Sequence, residues 1–246
     1  MVILPKSAIS HPFLIMFDQA NPYSVGAQSE DKRAEFIRKT YFHVAGAIGV
    51  FALLLTIFLR IPAMVSFAAT MTSGFNWFIV LGAFIAVSYI ADKWAHSSTS
   101  LPTQYLGLGL FVVAEAIIFL PIMVQATFYS SPLVLQQAGL ATLALFLALT
   151  FVAFTTRKDF SFMGGFLKVG FLIALGAIVA GMLFGFDLGL AFSVIMVILA
   201  SGSILYNTSN MIHHYQTNQY VAASLGLFSS VALLFWYILR IFMNRD

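Results

Sequence analysis

Seven long apolar stretches constrain the fold of this chain more than any other feature. They cover residues 42–61, 76–92, 102–127, 136–156, 161–184, 188–212 and 220–243. A helix of about 20 apolar residues crosses the hydrocarbon core of a bilayer, whereas strands of a membrane barrel are about ten residues long and alternate in polarity. Because backbone groups in hydrocarbon must satisfy their own hydrogen bonds, the pattern predicts an all-α integral membrane protein with seven transmembrane helices.

The composition agrees with a chain surrounded by lipid. Apolar residues make up 61% of the sequence and charged residues 9%, whereas a soluble domain carries about 25% charged residues. The absence of cysteine excludes disulfides, thiolate metal sites and cysteine nucleophiles. Gly-Lys-Ser/Thr and His-Glu-x-x-His motifs are missing, and no basic cluster is interleaved with aromatic residues. We therefore expect no enzymatic activity, catalytic residue, cofactor, metal or nucleic-acid partner.

A polar tail, residues 1–41, precedes the first apolar stretch. Its apolar run at 13–17 is short for a secretion signal, so we expect the tail to be retained. Residues 29–40 predict a short juxtamembrane helix, because a serine stands at its start and two acids follow in the first turn. The predicted organisation is thus a tail followed by a membrane domain over residues 42–246.

The basic residues of the tail and connections predict the orientation in the membrane. With seven crossings, more of them lie on the side of the tail than on the opposite side. The first group is Lys6, Lys32, Arg33, Arg38, Lys39, Lys93, Arg157 and Lys158, and the second is Arg60, Arg240 and Arg245. The asymmetry predicts a cytoplasmic amino terminus and a carboxyl terminus on the other side.

Ionisable residues within the apolar stretches are rare, and Glu115 lies in the middle of the third. An isolated ionised carboxylate is too costly in hydrocarbon, so we expect this group to be neutral or paired. It is then either a site sensitive to protons or cations, or a neutral carboxyl bonded to a neighbouring helix. Lys168 can extend its ammonium to the interface. The adjacent His213 and His214 favour a metal site only weakly, since neighbouring residues do not share a helix face.

Three segments in the second half of the chain resemble one known family. Residues 154–167 (FTTRKDFSFMGGFL) resemble the loop and fifth-helix signature of the Bax inhibitor-1 family. Residues 201–213 (SGSILYNTSNMIH) resemble its sixth-helix motif, and residues 217–239 resemble its seventh helix. The likeness is strong over 150–246, and within the family it points to the bacterial YccA-like branch.

The resemblance implies a fold in which six helices surround a central seventh. It implies a bacterial inner membrane, with the tail in the cytoplasm and the carboxyl terminus in the periplasm. Some members of this family are pH-sensitive calcium leak channels, gated by an aspartate of the sixth helix and one of the seventh that share a proton. The YccA-like branch instead binds the membrane protease FtsH and moderates its proteolysis.

This sequence replaces the aspartate pair of the channels by Asn207 and Ser230. Two close carboxylates share a proton because both cannot ionise together, and an amide and a hydroxyl offer no such switch. Arg157, Lys158 and Asp159 form the candidate family-motif loop. We therefore predict a non-enzymatic modulator of FtsH-type quality control of membrane proteins, with the lipid bilayer and FtsH as partners. The alternative is a calcium or proton leak, with Asn207, Ser230 and Glu115 as the candidate gate or polar core.

Overall fold

The computed structural model describes residues 24–97, 100–156 and 158–244, which fold into an all-α bundle. Its helices are α1 (Glu30–Phe58), α2 (Pro62–Met71), α3 (Asn76–Ala95), α4 (Leu101–Ile118), α5 (Leu120–Phe128), α6 (Val134–Thr156), α7 (Met163–Phe184), α8 (Gly189–His213) and α9 (Tyr220–Met243). Seven of these described helices, α2 and α5 being the exceptions, are long and apolar enough to cross a membrane. The prediction of seven transmembrane helices is confirmed.

Helix α1 joins the predicted juxtamembrane helix to the first crossing. The sequence suggested a separate short helix over 29–40, but one helix runs from Glu30 to Phe58. Neither glycine nor proline interrupts its first four turns, and Phe36, Thr40 and Val44 are buried along a single face. This i, i+4 spacing keeps the segment packed on the bundle as it leaves the membrane. The predicted boundary between tail and membrane domain therefore falls inside a helix.

The third apolar stretch is two helices rather than one. Helix α4 ends at Ile118, Phe119 caps both helices, and α5 begins at Leu120. Pro121 in the first turn of α5 has no N–H for the carbonyl one turn earlier, which breaks a continuous helix.

The apolar pattern of the sequence also did not predict α2, whose first residue is Pro62. Its ten residues are too short to cross the membrane. Helix α2 packs on α5, where Ala68, Met71 and Leu120 form a buried cluster.

Helix α9 is the centre of the bundle, which confirms the architecture implied by the resemblance. In its most apolar 18-residue window 72% of the residues are buried, against 11% to 44% in the other six crossings. It packs against α1, α3, α4, α5, α6 and α8. Helix α7 packs on α8 and reaches α9 through an apolar cluster that includes Leu167, Ala174 and Tyr237. Small residues early in α9, such as Ala222, allow its neighbours to approach closely.

The closest backbone approach involving a glycine lies between α3 and α4. A Cβ added at Gly107 would lie 2.5 Å from both the carbonyl oxygen of Ala91 and the amide nitrogen of Ala95. Both alanines are completely buried. Gly107 therefore allows two helices to touch along their backbones, and it sets the position of α4 two turns before Glu115.

Candidate functional site

Asn207 of α8 and Ser230 of α9 face each other inside the bundle. The Asn207 amide donates to Ser230 Oγ at 2.9 Å and to the Gly226 carbonyl at 3.1 Å. Ser203, one turn earlier on α8, brings its Oγ to 2.8 Å from Ser230 Oγ. We call Ser203, Asn207, Gly226 and Ser230 the polar clasp. It joins the central helix to its neighbour with side chains that do not titrate.

One arrangement of donors satisfies the hydroxyls and the amide N–H groups of the polar clasp. Ser230 Oγ donates to the Gly226 carbonyl at 2.9 Å, as a serine commonly does to the residue four before it. Its oxygen is then free to accept from Asn207 and from Ser203. The clasp is therefore satisfied by neutral donors. Its geometry holds α8 and α9 together without a shared proton.

Two members of the polar clasp were not singled out as site residues from the sequence. Ser203 and Gly226 each stand four residues before a predicted residue, so each pair shares a helix face. Gly226 also provides space, since a Cβ there would lie 3.1 Å from Asn207 Oδ1. The spacing could have suggested these partners, but only the register between α8 and α9 places the pairs opposite each other.

The candidate family-motif loop is attached to the end of α8. Arg157 lies outside the described residues, and Lys158 is exposed. Asp159 Oδ2 lies 2.9 Å from His214 Nε2, and Asp159 Oδ1 accepts from the Ser161 amide at 2.9 Å. Partial burial raises the pKa of Asp159, but hydrogen bonds from Ser161 and His214 outweigh it and hold this pKa at about 2. The carboxylate is therefore ionised at neutral pH.

His214 contacts a carboxylate rather than a set of metal ligands. Across the described part of the chain, no three histidine, aspartate or glutamate side chains come together in a way that could hold a metal ion. Ser209 adds to the attachment of the loop: its Oγ accepts from the Phe160 amide at 2.8 Å and donates to Asp159 Oδ1 at 3.3 Å.

The residues just before α1 pack on the connection between α8 and α9. The Val25 amide donates to the Tyr215 carbonyl at 2.8 Å, and Ser24 forms an antiparallel bridge with Gln216. One turn into α9, Ser224 Oγ lies 3.0 Å from the Thr40 carbonyl of α1 and 2.6 Å from the Tyr220 carbonyl of its own helix. The segment that precedes α1 is thus linked directly to the connection that leads into the central helix.

Glu115 is separate from the polar clasp. The residue is 6% exposed and lines a cavity between α3, α4, α7, α8 and α9. The sequence left open a carboxyl bonded to a neighbouring helix, but none of the described residues hydrogen-bonds to this side chain. The candidate gate or polar core is therefore two features: a clasp between α8 and α9, and a solitary buried carboxyl. Lys168 is exposed on α7, consistent with an ammonium that reaches the interface.

Comparison with known proteins agrees with this architecture. A family model described as inhibitor of apoptosis-promoting Bax1 matches residues 33–246. Bax inhibitor 1 of Schizosaccharomyces pombe is 31% identical over 96% of this chain and 85% of its own. The modulator of FtsH protease YccA of Escherichia coli is 37% identical over 46% of this chain and 52% of its own. Because the family match spans nearly the whole membrane bundle, this chain belongs to the Bax inhibitor-1 family.

Proposed function

We propose that this protein is a non-enzymatic, multi-pass protein of a bacterial inner membrane that modulates FtsH-type quality control of membrane proteins. The observation that carries the proposal is the 37% identity over 116 residues to a protein named modulator of FtsH protease. A second similar chain is named an inner membrane protein. The tail is cytoplasmic in this proposal, as the distribution of basic residues indicates.

The start of α1 supplies the surface that FtsH would contact. Charged side chains surround its first three turns and are exposed or half-buried: Glu30, Asp31, Lys32, Arg33, Glu35, Arg38 and Lys39. Because residues 24–27 pack on the connection before α9, a partner that pulls on this surface also strains the start of the central helix. This linkage supports the beginning of α1 as the contact with the protease.

The polar clasp supports a modulator over a pH-gated leak. A gate that responds to pH needs a group whose charge changes in the working range. The clasp consists of one amide, two hydroxyls and a backbone carbonyl, and its hydrogen bonds are the same at every physiological pH. It holds α8 against α9 without a titrating group, which suits a bundle that acts as a binding partner.

Copurification with FtsH in mild detergent tests the proposal. We expect the wild-type protein to enrich FtsH over an unrelated seven-span membrane protein. The variant Lys32→Glu/Arg38→Glu, which reverses two exposed charges on α1, should lose most of this enrichment because interface charges steer association. The matched control Lys93→Glu/Lys158→Glu reverses two exposed charges on the same predicted side of the membrane and should keep it.

The wild-type protein tests the proposed function, and the α1 variant tests the location of the contact. Wild-type protein that enriches FtsH no better than the unrelated control contradicts the proposed function. Full enrichment by the α1 variant contradicts the location of the contact and leaves the function in place.

A cation leak through the bundle is the second candidate, and the solitary carboxyl of Glu115 inside a cavity is the observation that favours it. Calcium flux into proteoliposomes, measured between about pH 5 and about pH 8, separates it from the first. A leak requires flux above that of protein-free vesicles and its loss in Glu115→Gln. In a conducting protein, Asn207→Asp should introduce pH dependence. Flux that matches protein-free vesicles throughout eliminates this candidate.

A further inference from the structure

A cavity of about 430 Å³ lies inside the bundle, apart from both the polar clasp and the start of α1. Its walls come from α3, α4, α7, α8 and α9 and from the connection between α7 and α8. They are mostly apolar, and aromatic side chains contribute from α3, α7 and α9 and from the residue between α4 and α5: Trp77, Phe84, Phe119, Phe171, Trp236 and Tyr237. Pockets of about 300–1,000 Å³ with such walls and few polar groups are typical of sites for small organic molecules.

Glu115 places a buried carboxyl group in the wall of this cavity. The residue is 6% exposed, and its side chain lacks a hydrogen-bond donor among the described residues. A buried polar group without a partner is costly, and such groups are uncommon in folded proteins unless they serve a purpose. A ligand that enters the cavity and pairs with this carboxylate would remove the cost.

The lining of the cavity also includes an ion pair that is partly exposed. Arg240 Nη2 lies 3.7 Å from Asp187 Oδ1, and the Asp187 side chain is 84% exposed. Both residues line the cavity. Their charges cancel, so an ionised Glu115 leaves the cavity with one net negative charge, which one positive charge on a ligand would balance.

We propose that this cavity binds a monovalent organic cation with an apolar or aromatic body. Aromatic rings attract organic cations through their negative faces, and the Glu115 carboxylate supplies the counter-charge. A calcium ion is a poorer match, because it takes six to eight oxygen ligands. The cavity offers the carboxylates of Glu115 and Asp187 and the Tyr237 hydroxyl, and Asp187 is already paired.

Binding of a cation in this cavity is independent of the proposed modulation of FtsH. It rests on the cavity, its aromatic walls and the unpartnered carboxyl. A protein that fails to bind FtsH could still bind the cation, and the reverse also holds.

Tetraphenylphosphonium and tetraphenylborate form a matched pair of probes, because they share size and shape and carry opposite charges. Trp77 and Trp236 line the cavity, and the remaining tryptophan, Trp94, stands in the last turn of α3. In purified full-length protein carrying Trp94→Phe, tryptophan fluorescence therefore reports on the cavity. We expect saturable quenching by tetraphenylphosphonium and at least about tenfold weaker binding of tetraphenylborate, as for reversal of one buried charge contact.

Two variants test the role of the carboxylate. Glu115→Gln keeps the volume and removes the charge, so tetraphenylphosphonium should bind at least about tenfold more weakly. Asp92→Asn removes a negative charge from an exposed site on α3, away from the cavity, and should leave binding unchanged. Equal affinity of wild type and Glu115→Gln for tetraphenylphosphonium overturns the proposal, and so does equal affinity of the two probes for the wild type.

A third variant tests the binding site in the case that Glu115→Gln does not fold. Ile178 of α7 lines the cavity and is half-buried. Ile178→Phe should fill part of the space and weaken binding of tetraphenylphosphonium, while size-exclusion chromatography verifies the fold. Undiminished binding by this variant places the probe elsewhere and refutes the site.

Discussion

Gly107→Ala should destabilise the bundle, because the added methyl group would meet backbone and not a movable side chain. Its Cβ would lie 2.5 Å from atoms of Ala91 and Ala95, about 1 Å short of an ordinary contact at 3.4 Å or more. Helix backbone cannot rotate away as a side chain can, so α3 and α4 must separate. Overpacking costs about 1–3 kcal/mol, and we expect about 3 kcal/mol because two backbone atoms are involved.

Gly109→Ala is the matched control on the same helix. Nothing lies within 4 Å of a Cβ added there, and Gly109 is exposed. Both variants gain about 1 kcal/mol of helix propensity, so their difference isolates the clash. In a chain of this size 1 kcal/mol corresponds to about 2–4 °C, so the Tm of Gly107→Ala should lie about 6–12 °C below that of Gly109→Ala.

Thermal unfolding of the two purified variants in the same detergent measures this difference. A Tm for Gly107→Ala equal to or above that of Gly109→Ala would refute the reasoning. It would mean that α3 and α4 are not in backbone contact at this point, and the placement of Glu115 along α4 would have to be revised.

Two further substitutions test the polar contacts. Asp159→Asn should cost about 1 kcal/mol at neutral pH, a value reduced for screening at a half-exposed carboxyl. Because the pKa of Asp159 is lowered from 3.8 to about 2, the stabilisation is fully present above pH 3.8 and is lost as the pH falls through about 2. A Tm difference from wild type that is as large at pH 2 as at neutral pH would contradict this sign. Asn207→Leu should lower the free energy of unfolding by about 1–3 kcal/mol, because it removes the amide of the polar clasp. Thermal unfolding measures this loss against the control Asn210→Leu, since the Asn210 side chain makes no hydrogen bond among the described residues. Equal losses of stability in the two variants would contradict the role of the clasp.

The crossings could be predicted from the sequence because each depends on a property of one segment. A helix in hydrocarbon needs a continuous apolar run, and that run is visible without knowledge of its neighbours. The prediction failed where the decisive feature was short or local. Helix α2 is too short for such a run, and the break at Phe119 depends on one proline in an otherwise apolar stretch.

The candidate site could be predicted only in part. The motifs indicated Asn207 and Ser230, and the structure brings them within 2.9 Å of each other. Ser203 and the Gly226 carbonyl complete the clasp, but they depend on how α8 and α9 are rotated and aligned. That alignment comes from the packing of many side chains, which a pattern along one segment does not contain.

For Glu115, the sequence determines that a carboxyl is buried, and the tertiary structure determines what surrounds it. The sequence alone determined that a carboxyl lies deep in an apolar helix and must be neutral or paired, because burying an isolated charge is costly whatever surrounds it. Only the tertiary structure decided that this carboxyl lines an aromatic cavity and lacks a donor from a neighbouring helix. Each helix needs a long apolar run of its own to cross the membrane, and that run can be read from its own sequence. A cavity forms only between helices, and the side chains that line it depend on how all of the helices pack.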